Sequence, residues 1–353
     1  MPQLQVWQKP LFFRRNRVYR VYRGGKLFHD FMGDPPEDGF CPEEWIASTV
    51  RAINPGHSDP LEGISLLEDG GLPLTQLLRQ YPQECLGSRR DLGVLIKFLD
   101  SAIRLPMQVH PTRENASRLF ASPYGKTEAW LILMTRPDAC VYFGFSRQVS
   151  RGEFERAVAC SLREGDCMTG LVNRVPVKAG DVFLVPAGVI HAIGAGCLLL
   201  EAQEPTDFTI QPEHWCGAYR LSDEEMYLGL KPQEALDCFD FGLYGDEVVQ
   251  MGKKQPRVLH ETGKVTEELL IGPEDTPCFT MDRTTLRDGG KTVLGKGAAV
   301  YIIVDGEGSL NCDGYHRAVK RGDYFFLPHG AAGSCSAEGN MQFVCCGGGE
   351  QAG

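Results

Sequence analysis

No apolar run in this chain approaches the roughly 18 residues that a bilayer-spanning helix needs, so no transmembrane segment is expected. The stretch Met1 to Tyr22 is rich in arginine and aromatics and lacks the apolar centre of a secretory signal. No Cys-x-x-Cys occurs among the 13 cysteines, which are odd in number and scattered from Cys41 to Cys346. A secreted disulfide scaffold shows a denser pattern in a shorter chain. Most of these thiols, the adjacent Cys345 and Cys346 included, are therefore expected to be small buried hydrophobes. A basic excess is missing too: 36 Lys and Arg stand against 46 Asp and Glu, for a formal net charge of −10. That argues against nucleic acid or an anionic membrane as the main partner. The expectation is a cytoplasmic protein, monomer or homodimer, that meets a small molecule.

What is present is a chain of 353 residues, long enough for two or more domains and a substantial core. Residues 1–41 read as an extended segment with Pro10 and the pair Gly24 and Gly25. Residues 42–103 read as a helical insertion. Pro42, Glu43 and Glu44 place a proline and acids at a helix start; Leu74, Leu77 and Leu78, then Leu92, Leu95, Ile96 and Leu99, recur at helical spacing. From Met107 the pattern turns strand-like, with short apolar runs at 129–134, 141–145, 181–185 and 197–203 split by Gly and Pro. Short helices are expected at 151–161, 165–171 and 232–239. Residues 255–353 again read as short strands.

An internal repeat organises these strands. Gly180-Asp-Val-Phe-Leu-Val-Pro186-Ala-Gly188-Val-Ile-His191 and Gly322-Asp-Tyr-Phe-Phe-Leu-Pro328-His-Gly330-Ala-Ala-Gly333 share one twelve-residue frame. Gly333 stands where the first copy has its histidine. The frame resembles the second motif of the cupin superfamily, whose members are double-sheet jelly rolls. It implies a mainly β fold of two cupin domains: 1–41 with 104–254 as the metal-binding one, and 255–353 as a metal-free one.

Three segments carry the chemistry. Gln108-Val109-His110, Gly125-Lys126-Thr127-Glu128 and Pro186 to His191 offer an amide oxygen, a carboxylate and two imidazoles. On a strand Gln108 and His110 point to one face. Glu128 opens the apolar run Ala129 to Leu133, where an acid is costly unless paired or metal-bound. A set of this kind suits Zn²⁺, with Mn²⁺, Co²⁺ or Fe²⁺ as alternatives. Singly, each has a plainer reading: His191 a satisfied strand-end histidine, His110 a turn histidine before Pro111, Glu128 the surface partner of Lys126. Trp130, Tyr124 and Trp215 are available as an aromatic wall, with Trp130 better placed in a core.

The stretches 44–48, 95–100, Gln108 to Pro111, Gly125 to Trp130 and His191 to Gly196 resemble those of class I mannose-6-phosphate isomerases, which are zinc-dependent cupins. The resemblance covers about residues 8–345. It implies Gln108, His110, Glu128 and His191 as zinc ligands, and a metal-dependent interconversion of mannose 6-phosphate and fructose 6-phosphate through an enediolate. Lys126 and Glu201 fall where the family has polar active-site residues and are the candidates for proton transfer. Lys97, Asp207, Gln211 and Arg220 are the candidates for substrate binding. Two departures stand out. Pro106 replaces a phosphate-holding serine, and Gln211 replaces an arginine found twenty residues after the second histidine in bacterial members. Arg220, nine residues on, is a candidate substitute. A neutral amide does not replace a guanidinium, so three alternatives stay open: an isomerase of a different or unphosphorylated sugar, a non-catalytic sugar-binding cupin, and, more weakly, a cupin oxygenase.

Overall fold

The computed structural model describes residues 4–163 and 165–349; the extreme ends of the two expected domains lie outside the described residues. Before residue 255 the strands are β1 (Leu11–Phe12), β2 (Arg17–Val18), β3 (Glu43–Ile46), β4 (Leu95–Ser101), β5 (Glu128–Thr135), β6 (Cys140–Phe145), β7 (Val172–Pro176), β8 (Val182–Val185), β9 (His191–Ile193), β10 (Cys197–Gln203), β11 (Trp215–Cys216), β12 (Tyr219–Arg220) and β13 (Lys253–Lys254). After it come β14 (Arg257–Glu261), β15 (Val265–Ile271), β16 (Phe279–Val293), β17 (Ala299–Cys312), β18 (Tyr315–Lys320), β19 (Tyr324–Leu327) and β20 (Ser336–Gly348).

The fold is mainly β, as the sequence suggested. A seven-stranded sheet runs β13-β8-β5-β10-β4-β3-β2, and a three-stranded sheet β7-β6-β9 covers one of its faces. The interior between them holds Leu99, Trp130, Ile132, Phe183, Val141, Phe143 and Ile193. The other face, with Ile96, Phe98, Leu131, Leu184, Leu198 and Leu200, packs on Val300, Ile302, Phe326 and Val344 of the eight-stranded second sheet. Strands buried on both faces read as continuous apolar runs rather than alternating ones. Among the described residues no helix is long and apolar enough to cross a membrane.

That double burial explains the largest departure from expectation. Residues 42–103 are not mainly helical: Glu43–Ile46 and Leu95–Ser101 are strands of the first sheet, paired to each other and to β10. Apolar residues on both faces of β4 mimic the i, i+3, i+4 spacing of a helix. Only Leu74–Gln80 and Pro82–Leu86 are helices of more than a few residues there. Strand β1, from the expected N-terminal domain, pairs with β19 of the second sheet. The helix at 165–171 shrinks to one short turn, Thr169–Leu171, whereas Arg151–Ser161 forms as expected. Two cysteine pairs, Cys160–Cys167 and Cys312–Cys335, are disulfides that their spacing did not announce. Of the remaining cysteines all but Cys41 are buried.

The repeated frame is one structure built twice. Gly180 and Gly322 both have φ +91°, which favours glycine. Asp181 accepts a hydrogen bond from the Lys178 backbone, and Asp323 accepts one from Lys320 in the same way. Gly180 N–H donates to Ile132 and Gly322 N–H to Ile303. Registers agree as well: Glu128 faces Val185 as Ala299 faces Leu327. Across the first sheet runs the row Lys97, Glu201, Trp130, Phe183; across the second runs Asp282, Cys345, Tyr301, Phe325. The copies diverge after the turn, where the second takes a short helical turn at His329–Ala331 and reaches its next strand only at Ser336.

Candidate active site

The hydrogen bonds of the turn place the imidazoles. Gln108 and His191 exchange two backbone hydrogen bonds of 2.9 Å, and Val109 pairs with Ile210. The Gly188 N–H donates to the His110 carbonyl at 3.0 Å. Segment 107–110 is thereby clamped between the Pro186–His191 turn and residue 210. Gly125 lets the Glu128 segment approach: a Cβ there would lie 2.6 Å from the Pro111 carbonyl.

His110, Glu128 and His191 come together, each at least 99% buried, with their ligand atoms within 4.8 Å of one another. The His110 Nδ1 lies 3.0 Å from the Phe208 carbonyl, and the His191 Nδ1 2.9 Å from the Val189 carbonyl. Those acceptors hold the proton on Nδ1, so both Nε2 atoms offer lone pairs. They face each other across 3.2 Å. Glu128 oxygens lie 3.0 Å from His110 Nε2 and 3.3 Å from His191 Nε2. A tetrahedral ion with bonds of about 2.0–2.1 Å has donor–donor edges of about 3.3–3.4 Å. Facing lone pairs at that spacing, with a carboxylate beside them, fit a divalent cation. Gln108, the remaining expected ligand, is buried in the wall of the same cavity, directly opposite His191 in register.

Charge around this triad is tightly compensated. The Lys126 ammonium donates to His110 Nε2 and Glu128 Oε2, both at 2.7 Å. Trp130 donates its indole N–H to Glu128 Oε1 at 3.0 Å. Burial would raise the Glu128 carboxyl, but Lys126 and the histidines outweigh it and hold it well below the usual range. Burial, helped by Lys126, pushes His110 down to about 3.

Through Glu128 the triad borders a cavity of about 180 Å³, roughly a dozen times the 10–15 Å³ that one water needs. Its floor is the row across the first sheet. Glu201 is buried and pushed upward by that burial and by the charge of Glu128. Its Oε1 lies 3.4 Å from Lys97 Nζ and makes no hydrogen bond within the protein. Lys97 also lies 3.7 Å from Glu43 and 5.0 Å from the Trp45 ring centroid. Burial would lower Lys97, yet the facing carboxylates Glu43 and Glu201 leave it above the ordinary lysine value.

The expected substrate residues are placed unequally. Lys97, Asp207 and Gln211 line the cavity. The Asp207 carboxylate accepts a bifurcated hydrogen bond from one Arg20 nitrogen, Nη2, at 3.0 and 3.1 Å, and another from the Ile53 N–H at 2.8 Å. Gln211 donates instead to the Glu225 carbonyl at 3.0 Å. Arg220 is exposed on the β11–β12 hairpin and faces a separate shallow hollow with Ser222 and Asp223. Of the aromatic candidates, Trp130 is fully buried as expected, while the cavity is lined by Tyr19, Tyr22 and Tyr219 rather than Tyr124 or Trp215.

Sequence reading missed Arg20, Tyr22 and Glu43. Glu43 accepts from Arg20 Nε at 3.0 Å, from Trp45 Nε1 at 2.6 Å and from the Tyr22 hydroxyl. Burial would raise Glu43, but Arg20 and Lys97 hold it far below the usual carboxylate range. A signal did exist: Glu43-x-Trp45 repeats the Glu128-x-Trp130 pattern, and in both an indole two residues on binds the buried acid.

Together these features define a two-domain cupin whose first jelly roll holds a His-Glu-His cluster fit for a metal, above a buried acid–base floor. No family model matches the chain. It is 27% identical to the mannose-6-phosphate isomerase of Streptococcus mutans, covering 95% of this chain and 97% of that protein. It is 28% identical to mannose-6-phosphate isomerase ManA of Bacillus subtilis, covering 95% and 98%. Among solved structures, mannose 6-phosphate isomerase from Bacillus subtilis superposes with a TM-score of 0.74 at 21% identity, over 96% of this chain and 99% of that one. A putative mannosephosphate isomerase from Archaeoglobus fulgidus does so at 0.71 and 17%, over 98% and 100%. Over nearly its whole length the chain is thus similar in sequence to mannose-6-phosphate isomerases and shares their fold.

Proposed function

We propose that this protein is a metal-dependent aldose–ketose isomerase of the mannose-6-phosphate isomerase kind. The observation that carries the reading is that Glu128 of the His110-Glu128-His191 cluster lines one cavity together with the buried carboxyl of Glu201. His110, Glu128, His191 and Gln108 would hold the ion, with zinc the first candidate. When bound, it supplies Lewis-acid polarisation of the sugar's carbonyl and neighbouring hydroxyl oxygens.

The protein's own groups account for the rest. We assign Glu201 to moving the proton between C2 and C1. It faces the cavity, its Oε1 is free of hydrogen bonds within the protein, and its raised affinity for protons suits a group that must take one and return it. Lys97 sets the direction of that carboxyl and limits how far burial raises it. Lys126 is the rival base, but its ammonium is paired with Glu128, which favours Glu201. Tyr22 and Arg20 fix Glu43 beneath Lys97 and so complete the floor.

The test is direct. Metal-loaded protein is offered mannose, mannose 6-phosphate and a panel of aldoses, and ketose formation is followed. Isomerisation that stops on chelation, and that Glu201→Gln abolishes while metal binding is kept, supports the reading. Absence of turnover on every sugar by protein holding one equivalent of metal would overturn it.

A further inference from the structure

We infer that this pocket takes a sugar uncharged at its far end, a free aldose rather than a sugar phosphate. The inference rests on the isomerase reading for its chemistry and deepens it by naming the substrate class. Three cations line the cavity, Arg20, Lys97 and Lys126, and all three are already committed. Arg20 donates from Nη2 to Asp207, from Nε to Glu43 and from Nη1 to Asn54. Lys97 lies between Glu43 and Glu201. Lys126 is held by Glu128 and His110.

Against these three stand five lining carboxylates: Glu43, Glu128, Glu201, Asp207 and Glu225. A divalent ion at the triad would bring that count to neutrality and no further. A phosphate monoester carries about −1.5 to −2 charges near pH 7. It needs donors that are not already paired, most often a guanidinium fork. Among the described residues no cation without a carboxylate partner lines the cavity, and breaking the Arg20–Asp207 pair would strand a buried acid.

The mouth points the same way. Its exposed and half-exposed positions are Tyr19, Ile53, Pro55, His57, Tyr219 and Glu225. Tyr19 and His57 lie with ring centroids 4.6 Å apart, tilted by 35°, and His57 is engaged by Glu62 at 3.3 Å. Rings and prolines offer flat apolar faces for sugar C–H groups, while Asn54, Thr209 and Gln211 offer hydrogen-bonding groups for hydroxyls. Arg220 does not line the cavity; it lies in an adjoining hollow that shares Pro55, Tyr219 and Glu225 with the mouth.

Binding and turnover are measured separately on metal-loaded wild-type protein. Calorimetry compares mannose and other free aldoses with the 6-phosphates of the same sugars, with inorganic phosphate as a competitor; ketose formation is followed in parallel. The expected result is at least tenfold tighter binding, and at least tenfold higher kcat/KM, for a free aldose, with no competition from 10 mM phosphate. A 6-phosphate that binds tenfold more tightly than its free sugar overturns the inference whatever the turnover, and loss of that preference in Arg220→Ala would then trace it to Arg220. Failure of every free aldose to bind at 50 mM overturns it too. A free aldose that binds without being isomerised leaves the substrate class standing and sinks the isomerase reading alone.

Discussion

Replacing Glu43 by Gln probes the buried floor without touching the metal cluster. Glu43 and Glu201 share the Lys97 ammonium, at 3.7 and 3.4 Å, so the two carboxylates lie within about 7 Å of each other. At an effective dielectric of about 20, charges that far apart interact by roughly 2.4 kcal/mol, or somewhat under two pH units. With further screening from the cavity the shift is about one. Glu43 raises Glu201, and Lys97 lowers it. Removing Glu43's charge therefore lowers Glu201 twice over, once directly and once by leaving Lys97 to it alone. A base must be unprotonated to act, so the acid limb of kcat/KM follows the pKa of Glu201. In Glu43→Gln that limb moves to lower pH by about one unit. Tyr22→Phe, which removes a hydrogen bond to Glu43 but no charge, moves it much less.

The same substitution has a stability signature of known sign. Glu43 is held below its ordinary value in the folded protein, so its contribution is present above about pH 4.5 and is lost as pH falls toward the folded value. Breaking a buried pair costs about 3–5 kcal/mol. Here Arg20 keeps Asp207 and Lys97 keeps Glu201, so about 2–3 kcal/mol is expected at pH 7.5, and less at pH 4, by urea denaturation. An acid limb that stays put or moves upward in a folded Glu43→Gln protein would refute the assignment of Glu201.

Other outcomes follow from the same geometry. Saturating metal at about 100-fold over its Kd should stabilise the wild type by about 2.7 kcal/mol; His191→Ala, scanned calorimetrically, should lose nearly all of that gain. Gly125→Ala forces a Cβ to within 2.6 Å of the Pro111 carbonyl, so loss of more than about 2 kcal/mol of stability, together with weaker metal binding, is expected; an unchanged variant would mean that this close approach does not position Glu128. Arg220→Ala should change kcat/KM for the preferred sugar less than twofold. Gln211→Arg adds an uncommitted cation to the cavity wall and should narrow the gap between a free sugar and its 6-phosphate at least threefold.

The meeting of His110, Glu128 and His191 was legible in sequence because each sits in a local frame whose geometry is set by a few neighbours. Pro186, Gly188 and the apolar strand before them fix His191; Gln108 and His110 share a strand face. The floor was harder to read for the same physical reason that misplaced residues 42–103. A strand buried on both faces carries no alternating pattern, so Leu92 to Leu99 imitates a helix. Lys97 and Glu201 become neighbours only through cross-strand register, which local sequence does not encode. Arg20 joins Asp207 across 187 positions, beyond the reach of any spacing argument. Glu43 was within reach, through the Glu-x-Trp pattern it shares with Glu128.

The duplicated frame separates what the fold requires from what the chemistry requires. Both copies keep the left-handed glycine, the aspartate that caps the turn and the backbone bonds to the neighbouring strand. Only the first keeps the acid and the imidazole: in matching positions the second has Ala299 for Glu128 and Gly333 for His191. Its floor carries Cys345 where the first has Glu201, and burial pushes that thiol up to about 12, which leaves it inert near neutral pH. The second jelly roll thus folds without these groups, so the first does not need them to fold. Burying two lone-pair-facing imidazoles and four carboxylates costs free energy that an apolar interior would not. Such a set is retained where it acts, and within the cavity its acids are partnered by Arg20, Lys97 and Lys126.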